Sequence, residues 1–178
     1  MKQNTKYIYY LCTMIIFMAL KAWYTTAHHD QLLFLLNPTH LLVEAFTGSS
    51  AVYDAAVGYF YADLNITIEK SCSGFNFWLL SFVLFVFVAL NHVQSQRSKL
   101  FVIPIMLGIS YVLTLFVNAS RIVTSIAANS YTKEFMDHPI TWLHQAEGTF
   151  IYLLFLILFY SALQFFFTQR SIRHEKLA

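Results

Sequence analysis

Cys72, Arg121 and His144 are the residues of this 178-residue chain whose types and positions suit covalent chemistry. The chain has two cysteines. Cys12 falls in the middle of a hydrophobic run, where it reads as a small apolar packing residue. Cys72 instead lies in Ser71-Cys72-Ser73-Gly74, directly before another such run. With no second cysteine on its side of the membrane, it cannot form an internal disulfide, and an unpaired thiol in an oxidising compartment calls for a function. A helix start there offers free backbone N–H groups and a partial positive charge, which favour thiolate over thiol. The competing reading is an inert cysteine at a membrane interface. Arg121 closes Asn118-Ala119-Ser120-Arg121, and an arginine at the edge of hydrocarbon is costly unless it snorkels or finds a partner. Ser110, Thr114, Asn118, Arg121 and Ser125 recur at helical spacing, so one helix carries them as a polar stripe that should face inward. A plain interfacial anchor is the alternative for Arg121.

Seven histidines supply candidate bases. His144, in His144-Gln145-Ala146-Glu147-Gly148 at the mouth of the last hydrophobic run, is better placed than His138 in the same connection. His92 and His174 fall on the opposite side by the charge pattern below, and His40 reads as a polar residue of a short helix. His28, His29 and Asp30 give only a weak metal signal, because adjacent ligands in a loop seldom build a site. A cysteine nucleophile needs a base or ion-pair partner, and a developing oxyanion needs a fixed donor. Cys72, His144 and Arg121 therefore form a minimal acyl-transfer set, each at the end of a different hydrophobic run. Ser73, Asn118 and Glu147 are the polar neighbours that could support it. Such chemistry requires no metal and no organic cofactor.

The elements that must position these residues are membrane spans. The chain is 58% hydrophobic and only 11% charged, against roughly a quarter charged for a soluble domain. Four runs approach the roughly 20 residues that a helix needs to cross a bilayer: about 7–23, 74–92, 100–117 and 149–167. Lys2 and Lys6 precede the first, Arg97 and Lys99 lie between the second and third, and Arg170, Arg173 and Lys176 follow the last. All seven share one side, which the positive-inside rule makes the cytoplasm. Both termini are then cytoplasmic, and the connections 24–74 and 118–148 face outward. Eight of the nine acidic residues lie in those outer connections, Glu175 being the exception. A cleaved signal peptide is the alternative for the first run, but Lys21, Trp23 and Tyr24 read as an interfacial anchor at a span's end. The basic residues form no stripe, so nothing points to nucleic acid. The expected fold is an all-α polytopic membrane bundle, one domain over 1–178.

Within the outer connections, Gln31–Gly48 is too polar and short to span. Asn37-Pro38 reads as a cap followed by a first-turn proline and Gly48 as the stop of a helix in the outer leaflet. From Asp63 to Glu69, Leu64, Ile66 and Ile68 alternate with polar residues, the period of a strand. Ile122–Tyr131 is apolar but broken by polar residues. Asn65-Ile-Thr and Asn118-Ala-Ser match the glycosylation pattern, as such short motifs often do by chance.

Ser71-Cys72-Ser73-Gly74 after an extended segment, Asn118-Ala-Ser-Arg121, and His144 followed by Gly148 and Phe150 occur here in an order and placement that resemble the exosortase/archaeosortase family. These are membrane-embedded cysteine transpeptidases of bacteria and archaea, and the resemblance extends over about 31–167. The chain is similar to the short members, the exosortase K type, and lacks the additional spans of many others, so an accessory membrane protein could complete its groove. The resemblance implies that Cys72 is the nucleophile and that Arg121 and His144 assist. It also implies protein sorting at the outer face of the cytoplasmic membrane. The substrates would be secreted proteins carrying a C-terminal motif, a hydrophobic helix and a basic end. Two rival readings stand beside it. One is an intramembrane or interfacial cysteine peptidase that releases its product by hydrolysis. The other is a non-enzymatic small membrane subunit in which Cys72 and Arg121 merely pack.

Overall fold

The computed structural model describes residues 2–93, 95–135 and 141–175, and the side chains of 6–93, 95, 97–128 and 148–169. Helix α1 runs over Lys2–Thr26, α2 over Leu33–Thr47, α3 over Phe75–His92, α4 over Gln96–Phe135 and α5 over Thr141–Glu175. Between α2 and α3 lie three short strands, β1 (Val52–Asp54), β2 (Gly58–Tyr61) and β3 (Ile66–Ile68), in an antiparallel meander of order β1-β2-β3. Four segments are helical, long and apolar enough to cross a membrane: Lys6–Thr26, Lys70–His92, Arg97–Ala128 and Gly148–Gln169. The expected all-helical polytopic membrane fold is thus present, with one small sheet added.

The third span differs from expectation in length. Arg121 does not end its helix, because α4 continues to Phe135 and absorbs the Ile122–Tyr131 segment. No glycine or proline interrupts residues 105–135 except Gly108, so nothing in the backbone forces a stop. The polar stripe of α4 faces inward as expected: Ser110, Thr114, Asn118 and Ser125 are buried and Arg121 is half-buried.

The chain resolves into two compact units, one formed by 1–25, 76–112 and 155–178, the other by 26–75 and 113–154. In the first, Tyr10 stacks on Phe87 with centroids 4.4 Å apart and donates to Asn91 Oδ1 at 2.9 Å. Trp78 Nε1 donates to the Leu107 carbonyl at 3.2 Å, over a core that includes Phe82, Phe85 and Val86. Much of the remaining surface of this unit is apolar, with Tyr7, Ile8, Leu11, Met18, Ile157 and Phe165 all exposed. Such faces are stable only where lipid replaces water. Cys12 lies on α1 with an exposed side chain, so it is not a packing residue of this chain's core.

In the second unit the sheet lies against α2. Tyr61 is fully buried and donates to the His40 carbonyl at 3.1 Å, while Tyr59 stacks on the His40 ring at 3.9 Å. Helix α2 begins at Leu33, so Asn37 is not its cap and Pro38 lies inside the helix. Asn37 Oδ1 is occupied otherwise: it accepts from Tyr59 Oη at 3.1 Å and meets His40 Nε2 at 3.1 Å. A 3-10 turn over His29–Leu32 leads into the helix, with the His28 N–H on Gln31 Oε1 at 3.0 Å. Gly48 ends α2 in the left-handed region, its N–H on the Glu44 carbonyl at 2.8 Å, as its sequence position predicted. Residues 66–68 form a strand within the segment read as extended, and Asn65 makes the preceding turn at φ 51°. The β1–β2 hairpin was not foreseen. Its turn is made by Asp54, whose carboxylate accepts from the Ala56 N–H at 2.7 Å, and by Gly58 at φ 108°.

Candidate active site

Cys72 is the last residue of a 3-10 turn, Lys70–Cys72, that bridges β3 and α3. Its N–H donates to the Glu69 carbonyl at 2.9 Å, and the Ser73 N–H to the Lys70 carbonyl at 3.1 Å. The thiol therefore precedes the first turn of α3 instead of lying in it. Each neighbour in the motif has a physical task. Ser71 Oγ donates to Glu69 Oε1 at 2.7 Å and lies 3.7 Å from Cys72 Sγ. Ser73 is fully buried, and its hydroxyl accepts the Phe75 N–H at 3.4 Å where α3 begins. Gly74 has φ 74°, and a Cβ there would meet Asn118 Cγ at 3.0 Å and Thr114 Cγ2 at 3.1 Å. Only glycine both adopts that conformation cheaply and lets the chain pass so close to α4.

From α4, Asn118 is fully buried and donates Nδ2 to the Cys72 carbonyl at 2.6 Å. Three residues further on, Arg121 donates Nη1 to Tyr152 Oη at 2.9 Å, and its guanidinium carbon lies 5.2 Å from the Tyr152 ring centroid. Tyr152 Oη in turn donates to Asn118 Oδ1 at 2.7 Å. The Cys72 side chain and the guanidinium line one cavity. Gly148, one turn before Tyr152 on α5, makes room for the arginine, since a Cβ there would stand 2.8 Å from Arg121 Nε.

These groups border a small cavity of about 70 Å³ lined by Ile66, Thr67 and Ile68 of β3, by Cys72, and by Arg121 and Ser125 of α4. A thiol, a guanidinium and an apolar wall share one opening. Chemically, that combination can hold a peptide carbonyl against the sulfur and stabilise the negative charge of an adduct.

Of the residues singled out in the sequence, Cys72, Ser73, Asn118 and Arg121 come together here. His144 lies on α5 one turn before Gly148, but its side chain and that of Glu147 fall outside the described ones, and His138 is not among the described residues. Among the described residues no group of three or more His, Cys, Asp or Glu side chains is arranged to hold a metal. His28 caps the first 3-10 turn and Asp30 accepts a hydrogen bond from Tyr53. Tyr152 was missed, because a tyrosine within an apolar run reads as an interfacial anchor. Its spacing of four from Gly148 was the available signal.

The polar contacts of the second unit also set the charge state of His40. Burial pushes this imidazole below its usual value, opposed by Glu44, whose Oε1 lies 3.7 Å from Nδ1. At that distance no hydrogen bond forms, and Nδ1 is a buried atom without a hydrogen-bond partner. The hydrogen bond to Asp30 holds the Tyr53 phenol up at about 12.

The family model for the transmembrane exosortase (Exosortase_EpsH) matches residues 8–161 of the chain. No curated protein and no solved structure matches it.

Proposed function

Because the chain belongs to the transmembrane exosortase family, we propose that it is a cysteine transpeptidase that removes C-terminal sorting tails from secreted proteins. The observation that carries this reading is the shared cavity of Cys72 and Arg121, with the cysteine backbone held by Asn118. The family implies protein substrates bearing sorting signals. Their tails would comprise a short motif, a hydrophobic helix that lies beside the spans, and a basic end. Holding enzyme and substrate in one membrane supplies much of the proximity advantage.

The Cys72 thiolate attacks the carbonyl carbon of the scissile peptide bond, and Arg121 stabilises the resulting oxyanion. The C–N bond breaks as His144 gives a proton to the leaving amine, and a thioester remains on Cys72. An incoming amine gives its proton to His144 and displaces the sulfur, which leaves as the thiolate and restores the starting thiolate–imidazolium pair. The asymmetry of basic residues supports an outward-facing site in a prokaryotic cytoplasmic membrane with both termini inside.

The test is processing of a tail-bearing precursor in cells. Cys72→Ala and His144→Ala each cause the full-length precursor to accumulate, and the double variant is no worse than either, because members of one catalytic unit are strongly non-additive. His138→Ala processes normally. The mass of the new C-terminus separates transfer, which leaves a covalent adduct, from hydrolysis, which leaves a free carboxylate. Normal processing by Cys72→Ala overturns the assignment.

A further inference from the structure

The Tyr152 hydroxyl touches both residues through which α4 reaches Cys72. It donates to Asn118 Oδ1 at 2.7 Å and accepts from Arg121 Nη1 at 2.9 Å. Asn118 holds the Cys72 carbonyl at 2.6 Å, and Arg121 lines the same cavity as the Cys72 side chain. The contacts run from the cysteine backbone through Asn118 and Tyr152 to Arg121, whose guanidinium lines one cavity with the cysteine sulfur.

Donor and acceptor capacity leave these contacts a single arrangement. A carbonyl only accepts, so the Asn118 amide must turn Nδ2 toward Cys72 and Oδ1 toward Tyr152. The tyrosine has one proton, which Oδ1 takes. Its lone pairs are then left facing the guanidinium, which can only donate. Turning the amide around would set oxygen against oxygen at Cys72. The order imposed at the cysteine backbone is therefore transmitted through one hydroxyl to the cation.

We infer that Tyr152 is a positioning residue, which locks the Arg121 cation at the Cys72 thiol by tying it to the amide that holds the Cys72 backbone. This rests on the reading of Cys72 as nucleophile and Arg121 as its cationic partner. Tyr152 acts through Asn118 and Arg121. Its ring gives Arg121 a π face as well, so Tyr152→Phe keeps that contact and removes only the hydroxyl.

The test needs no substrate. In the 178-residue chain with Cys12→Ser, Cys72 is the only thiol. Its alkylation rate is measured with iodoacetate, which is anionic, and with iodoacetamide, which is neutral. The ratio of the two rates reports a positive charge held at the sulfur and is insensitive to how accessible the thiol is to both. Arg121→Gln sets the ratio without the cation, lower by about fivefold, the effect of one unit charge near 4 Å in a water-like medium. Tyr152→Phe is expected to lower the ratio most of the way to that value. Asn118→Leu, which deprives the same hydroxyl of its acceptor, lowers it in the same direction. Tyr160→Phe, on α5 with its hydroxyl accepting from Gln164 Nε2 at 3.2 Å, leaves it unchanged. A wild-type ratio in Tyr152→Phe, with Arg121→Gln lowered, overturns the inference and leaves the catalytic reading standing. An equal fall in Tyr160→Phe overturns it too. If Arg121→Gln itself keeps the wild-type ratio, the cation is not at the sulfur, and the inference and the role given to Arg121 fall together.

Discussion

Gly148→Ala separates stability from activity. A methyl group there would lie 2.8 Å from Arg121 Nε, whereas ordinary contact begins near 3.4 Å, so the guanidinium must retreat by 3.4 − 2.8 = 0.6 Å. The same retreat lengthens the 2.9 Å bond from Nη1 to Tyr152 to about 3.5 Å, past the useful range of a hydrogen bond. Misplacing a catalytic group by about 1 Å costs on the order of a hundredfold, so 0.6 Å corresponds to a loss of roughly tenfold in turnover. The fold loses little, because the group that yields is the end of a flexible side chain and alanine is favoured over glycine in a helix by about 1 kcal/mol. The assay pairs the rate of precursor processing with thermal unfolding of the purified protein in detergent. Processing is expected to fall while the midpoint stays level or rises. Wild-type processing with an unchanged midpoint would refute the argument that the guanidinium acts from its observed place. A collapse of both would mean that the helices, not the arginine, gave way.

Gly74→Ala meets both a positive φ and a close approach to Asn118, whereas Gly48→Ala, at φ 71° with nothing within 4 Å, meets the strain alone. Gly74→Ala should therefore be less stable than Gly48→Ala by about 1–3 kcal/mol, the cost of overpacking, as read by thermal unfolding of the two variants side by side. Equal midpoints would mean that the contact with α4 relaxes freely. Arg121→Lys keeps the charge but loses the planar fork of donors that bonds Tyr152, so turnover drops by at least about tenfold, on the order of 1.4 kcal/mol, in protein that still accumulates in the membrane. His40 is held below its ordinary 6.5 by burial. Its neutral form is the one the fold accommodates, so the stability it contributes is complete above that value and is lost as pH falls through the lower folded one. Amide exchange in β2, corrected for intrinsic rates, should rise on acidification in the wild type. In His40→Phe, which stacks on Tyr59 but cannot titrate, this rise should be absent.

Composition and charge were enough to read four apolar helices from the chain, because the preference of a 20-residue apolar run for lipid depends on the run itself. The inward stripe on α4 was equally legible, since Ser110, Thr114, Asn118 and Ser125 need only helical periodicity to share a face. The left-handed stop at Gly48 is likewise local chemistry. Other features were settled by atoms distant in sequence. Asn37 looked like a helix cap, and became a partner of Tyr59 once β2 lay against α2. Gly74 and Gly148 read as turn and helix residues, yet their lack of a side chain matters because Asn118 and Arg121 fill the space. Tyr152 had no local mark beyond its spacing from Gly148, and its contacts exist only where α4 and α5 bring three polar groups within hydrogen-bonding distance. Periodicity and solvent preference are properties of a segment and can be read from it. Hydrogen-bond partners and excluded volume belong to pairs of segments, and only the folded chain decides them.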